Sequence, residues 1–140
     1  MSILIHIIYI ILCKKKNRGG SMEYELIAFD YSEQDNKKWR NFIQKAMETA
    51  QTFEIHCWNH ETQEISLAEK YGQPKKMDWE YGKVISGAVT EEFLGILLKL
   101  PKPTDIKICN KMTPFFSIFF DNGFSSEHYG TENYISYVNR

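Results

Sequence analysis

Met22 divides this chain into two stretches of different character, and that division limits which residues can enter a folded core. Residues 3–12 are almost all Ile, Leu or Tyr, Lys14-Lys15-Lys16-Asn17-Arg18 follows, and Gly19-Gly20-Ser21 leads into an ordinary alternation of strand and helix patterns. The apolar run at residues 3–13 is shorter than the roughly 18 to 20 residues that span hydrocarbon. Its cations come after the run, whereas a secretory signal carries them before it and ends at a small-residue cleavage site. Three readings of residues 1–21 stay open. They form a short membrane anchor with Lys14 to Lys16 and Arg18 on the cytoplasmic side, or a translated upstream stretch ahead of a start at Met22, or a fusion linker ending in Gly-Gly-Ser. In the last two cases the fold is expected within residues 22–140 alone.

Those 119 residues suffice for one domain with one core. The chain holds 17 cations and 18 acids. Four of the cations and none of the acids lie in the first 21 residues, which leaves the domain at a net charge of −5. Such a balance argues against a nucleic-acid ligand, which calls for a basic face. It suits attraction to a basic protein, although the more common role of such a charge is simply to keep a small domain soluble. Cys57 and Cys109, in no paired motif, are expected as two buried thiols in a reducing cytoplasm.

Periodicity gives the elements. Residues 24–29 form an apolar β run, and Ser32 with Asp35 resembles a capping box that starts a helix. Trp39, Phe42, Ile43, Ala46, Met47 and Ala50 recur at spacings of three and four opposite Lys38, Arg40, Asn41, Lys45 and Glu48. Thr52–Trp58 alternates, with Phe53, Ile55 and Cys57 on one face and Glu54 and His56 on the other. Residues 65–71 fit a short helix closed by Gly72 and Gln73-Pro74. Residues 75–82 read as an aromatic surface loop and residues 83–88 as a strand. Thr90 caps a second main helix through Phe93, Leu94, Leu97 and Leu98, which Pro101 and Pro103 stop. Ile106 and Ile108 alternate with Asp105 and Lys107, as in a strand with one wet face. Residues 115–120 and 124–129 flank the hairpin signal Asp121-Asn122-Gly123, and residues 134–138 form a last strand. The expected fold is α+β: a mostly antiparallel sheet with two main helices packed on it.

No motif names a reaction, and no cofactor is implied. His56 and His60, four apart with Cys57 adjacent, are candidate metal ligands, but they sit at a strand end and lack the further ligands of a closed zinc site. Ser125, Ser126, Glu127 and His128 invite a nucleophile reading, yet neighbouring strand residues point to opposite faces. No Gly-x-Ser-x-Gly elbow surrounds either serine, and Gly123 and Gly130 fit turns. The aromatics, 14% of the chain, say more. Trp58, Trp79, Tyr81, Tyr129 and Tyr134 lie in or beside predicted loops and strand ends, interleaved with Glu61, Asp78, Glu80 and Glu127. Aromatic anchors with acidic steering suit a protein interface, and they suit an ordinary half-buried rim equally well. The candidate partner-binding set is Trp58, Glu61, Asp78, Trp79, Glu80, Tyr81, Glu127 and Tyr129.

An acidic, aromatic-rich domain of this size, with the stretch Phe-Phe-Ser-Ile-Phe-Phe-Asp-Asn-Gly-Phe-Ser-Ser-Glu-His-Tyr-Gly-Thr-Glu at residues 115–132, resembles in overall type the small immunity proteins of bacterial polymorphic toxin systems. The resemblance implies a cytoplasmic protein that neutralises a cognate toxin, often a basic nuclease, by occluding its active surface. It transfers no residue roles, because immunity proteins share that role across many folds. Two alternatives are a small enzyme or ligand-binding domain with a pocket near His56, His60 and His128, and a membrane-tethered accessory domain if residues 1–21 form an anchor.

Overall fold

Alternation along the strands lets a single sheet bury one face and leave the other to solvent, and the computed structural model shows that arrangement. It describes residues 15–16, 22–30, 32 and 34–138. In chain order the elements are β1 (Lys15–Lys16), β2 (Met22–Ala28), α1 (Asp35–Met47), β3 (Thr52–Trp58), α2 (Thr62–Glu69), β4 (Gln73–Lys75), β5 (Gly82–Ala88), α3 (Glu91–Lys99), β6 (Ser117–Phe120), β7 (Phe124–Glu127) and β8 (Glu132–Val138). All strands join one sheet in the order β1-β2-β8-β7-β6-β3-β5-β4, and every neighbouring pair is antiparallel. Among the described residues the fold is therefore an α+β sandwich of one sheet and three helices. Of residues 1–21, only the short β1 falls within the described residues; the apolar run does not. Among the described residues no helix is long and apolar enough to cross a membrane.

The core lies between the helices and one face of the sheet. α1 contributes Trp39, Phe42, Ile43, Ala46 and Met47, α2 contributes Ala68, and α3 contributes Phe93 and Leu97; these pack on Phe53, Ile55 and Cys57 of β3, Ile85 of β5, and Ile118 and Phe120 of β6. The rings of Phe53 and Phe93 stack with centroids 3.8 Å apart. The one polar edge of Trp39 is satisfied, its Nε1 donating to Ser126 Oγ at 2.8 Å, as a buried indole requires. Because β3 alternates, burying Phe53, Ile55 and Cys57 turns Glu54, His56 and Trp58 to the opposite face.

Local chemistry sets the boundaries. Asp35 opens α1 by drawing back the Ser32 N–H (3.3 Å) and hydroxyl (3.2 Å). This is only half of the expected capping box, since the N-cap position is Gln34 and makes no side-chain cap bond. Thr90 caps α3 as expected, its Oγ1 accepting the Phe93 N–H at 3.1 Å. α2 starts three residues before the expected point, because Glu61 anchors its first turn. Gln73–Lys75, expected as a breaker and loop, form the edge strand β4, where a proline costs no ladder bond. The strand expected around Ile106 and Ile108 does not form. Both side chains are exposed, at 67% and 71%, in an irregular segment held by other contacts: Asn110 N–H on Asp30 Oδ1 at 2.9 Å and Lys111 Nζ on Asp105 Oδ2 at 3.3 Å. Cys109 is half-buried rather than buried.

Two turns carry positive φ. Gly123, at +91°, closes the β6–β7 hairpin, and Asn122 Nδ2 docks that turn onto the end of α1 by donating to Ala46 O at 2.7 Å and Thr49 Oγ1 at 2.8 Å. Between β7 and β8, His128 (+50°), Tyr129 (+60°) and Gly130 (+87°) are all left-handed. That run ends β7 two residues before the expected position.

Candidate functional site

The candidate site is the sheet face that the helices leave uncovered. Strand register places its residues in rows. One row crosses β6, β7 and β8 as Phe119, Ser125 and Tyr134, and the next crosses as Ser117, Glu127 and Glu132. Tyr24 of β2 stands opposite Ser136 of β8. On β3 the same face carries Glu54, His56 and Trp58.

Rings run across this surface in an unbroken sequence of contacts, half-buried except for the exposed His128 at its end. Phe119 meets His56 at 4.7 Å between centroids, His56 meets Trp79 at 5.7 Å, Trp79 meets Trp58 at 5.2 Å, Trp58 meets Phe116 at 4.9 Å and Phe116 meets His128 at 5.5 Å. Tyr24 and Tyr134 make a further edge-on pair at 6.1 Å. Trp79 comes from the loop between β4 and β5 and lies back over Gly82. A Cβ at Gly82 would fall 2.1 Å from the indole, so the glycine is what lets the ring lie down.

Carboxylates border the rings. Glu54 forms an ion pair with Lys75 at 2.5 Å and stands 3.4 Å from His56 Nε2. The Lys75 hydrogen bond, against a smaller opposing effect of burial, holds the Glu54 carboxyl below its ordinary range, and His56 adds to the lowering. Glu127 behaves oppositely: burial pushes its carboxyl up, partly offset by the Ser125 hydroxyl, which donates to Oε2 at 3.0 Å, while neighbouring Glu132 pushes the same way as burial. Glu132 accepts from the Tyr134 hydroxyl at 2.9 Å and lies 3.8 Å from His128 Nε2. Serine and glycine between the rings leave a cleft of about 340 Å³ along β6, β7 and β8, whose lining includes Tyr24, Phe119, Ser125, Glu127 and Tyr134.

Of the interface residues expected from sequence, Trp58, Trp79 and Glu127 come together on this face. Asp78, Glu80 and Tyr81 are exposed in the loop that carries Trp79. Glu61 and Tyr129 are not surface contacts. They are 8% and 3% exposed and bond to each other beneath the face, with Tyr129 Oη donating to Glu61 Oε2 at 3.0 Å. The histidines do not converge on one pocket. His56 sits among Trp79 and Phe119, His128 lies at the far end of the ring row, and His60 is on an exposed turn. Among the described residues no group of three His, Cys, Asp or Glu side chains could hold a metal ion.

Sequence reasoning missed Tyr24, Phe116, Phe119, Glu54 and Glu132 as members of this surface. The available signal was β6 itself, whose Ser-Ile-Phe-Phe run is apolar on both faces and so belongs to a central strand with something to cover on each side. Comparison of the chain with protein-family models, with curated proteins and with solved structures returns no match.

Proposed function

We propose that this protein is a non-catalytic binding module whose uncovered sheet face closes over a basic partner protein. One observation carries this reading: the row of rings from half-buried Phe119 to exposed His128, bordered by Glu54, Glu127 and Glu132, on the face that no described helix covers. Large aromatic side chains supply contact area at low entropic cost, and acids around them speed encounter with a cationic surface. In its biological setting the module is an immunity protein of the polymorphic-toxin type, neutralising a cognate basic toxin by covering the toxin's active surface. A cytoplasmic location goes with that role and is supported by the free thiols of Cys57 and Cys109.

The test is affinity capture by the full chain from its native cell, washed at low and then high salt, beside Trp58→Ala and Trp79→Ala variants. The expected result is a basic protein that wild type holds and salt releases, that both variants lose, and whose toxicity is suppressed by added wild-type chain. Equal capture by the variants, or no partner in either wash, would sink the reading.

A further inference from the structure

The cleft on the open face has the shape and chemistry of a socket for one cationic side chain. Across β6, β7 and β8 the row Phe119, Ser125, Tyr134 sets a small residue between two rings, so the surface is notched there. Tyr24 closes one side through its edge-on contact with Tyr134. Glu127, two residues along β7 and on the same face, stands at the end of the notch with its Oε2 fixed by Ser125 Oγ at 3.0 Å.

Directly across from Glu127 in the ladder is Glu132. Like charges at opposed positions of an antiparallel pair are unfavourable. Glu54, elsewhere on the face, is neutralised by Lys75, whereas the groups around the Glu127 and Glu132 carboxylates are Ser125, Tyr134, His128 and His56, with no lysine or arginine among these described neighbours.

We propose that this notch receives an arginine side chain of the protein partner, its guanidinium lying between Phe119 and Tyr134 and reaching the Glu127 carboxylate. The assignment rests on the protein-binding reading given above and names the chemistry of its central contact. A planar guanidinium stacks on aromatic faces and pairs with a carboxylate through two N–H groups, which a compact ammonium cannot do. Glu127 and Glu132, side by side at the end of the notch, supply the local negative charge that a basic donor surface complements.

The probes are N-acetyl-arginine amide, its lysine counterpart and the uncharged N-acetyl-citrulline amide, titrated into the isotope-labelled full chain and followed by NMR. Saturable shifts at Ser125, Glu127 and Tyr134 are expected with the arginine probe. They should weaken with lysine and be absent with citrulline. Glu127→Gln is expected to weaken arginine binding by about tenfold, the scale of a lost charge-assisted pair, and Ser125→Val to abolish it by filling the notch. Citrulline shifts equal to those of arginine, or an unchanged Glu127→Gln response, overturn the assignment. So does a free chain already in the shifted state that reverts when Lys14, Lys15, Lys16 and Arg18 are replaced by Gln, because the occupant is then the chain's own N-terminal cations. If arginine fails while Trp58→Ala and Trp79→Ala still lose the captured partner, this assignment falls and the binding module stands. If the variants retain the partner as well, both fall.

Discussion

Tyr129 and Glu61, 68 residues apart, meet through one hydrogen bond of 3.0 Å from the Tyr129 hydroxyl to Glu61 Oε2. The other carboxylate oxygen of Glu61 accepts the Trp58 N–H at 2.8 Å, and Glu61 O accepts the Ile65 N–H at 3.0 Å. One buried acid thus joins the end of β3, the first turn of α2 and the left-handed β7–β8 turn. Trp58, a member of the ring row, is held from below by this bond. Tyr129→Phe keeps the ring and removes only the donor. It should cost about 1–3 kcal/mol in urea unfolding, the range for leaving a buried acceptor without its donor. Partner binding should fall less than in Trp58→Ala. A stability equal to wild type would mean that the Glu61 carboxylate does not depend on this contact.

The α3 cap gives a cleaner energetic test, since Thr90 is exposed and Thr90 Oγ1 takes the Phe93 N–H at 3.1 Å. Thr90→Ala is expected to lose about 0.5–2 kcal/mol, and Thr90→Ser a small part of that. Equal losses for both would assign the effect to packing of the Thr90 methyl instead of to the cap.

Ile106 and Ile108 show where sequence reading misleads. Their alternation with Asp105 and Lys107 has the period of a strand, but the segment is tied down by Asp30, Asp105 and Lys111 and both isoleucines face outward. Changing either to Ser should therefore leave the unfolding free energy within about 0.5 kcal/mol of wild type. A loss of several times that would require a buried position.

What the sequence made legible was what local chemistry controls: the periodic face of α1, the Thr90 cap, the alternation of β3 and the Asn122-Gly123 turn. Tertiary partners decided the rest. Nothing near Glu61 announces that a tyrosine 68 residues away will bury it, and Tyr129 looks like any strand-end aromatic until positive φ at residues 128–130 turns it inward. On the candidate site, Trp58, Trp79 and Glu127 could be named as loop-borne aromatics and acids. Phe119 could not, because in a run as apolar as residues 115–120 only strand register separates the core face, with Ile118 and Phe120, from the open one.

The thiols differ in environment, and that difference is measurable. Burial pushes the Cys57 thiol up to about 12, with Glu61 and Glu64 adding to the rise. Cys109 is raised by burial as well, but it is half-exposed, and its Sγ lies 3.8 Å from the His128 carbonyl. In a Cys13→Ser chain at mildly alkaline pH, a thiol reagent should modify Cys109 in the native state and reach Cys57 only at the rate of unfolding, because the thiolate is the reactive species. Modification of Cys57 as fast as Cys109 would contradict its burial on the core face of β3.

Glu127 links stability to the open face. Burial is the main cause of its raised pKa, so the folded state disfavours the ionised carboxylate relative to the unfolded chain. The sign follows from proton linkage: the folded state holds the proton more tightly, and stability falls as pH rises from the ordinary value of 4.5 through the raised one. Above that window the full cost is present; below 4.5 both states are protonated and it vanishes. Ser125, Glu132, His128 and His56 all face this carboxylate, and the histidines, when charged, favour its ionisation. Glu127→Gln keeps the shape and an acceptor for Ser125 but cannot ionise. Its urea midpoint should exceed that of wild type near neutral pH, and the gain should shrink toward zero at about pH 4. A gain that stayed constant or grew on acidification would mean that the carboxylate is not disfavoured in the fold. Retention of a partly buried acid whose ionised form costs stability is expected where binding requires it, and the same substitution that stabilises the free chain should weaken its hold on a basic partner.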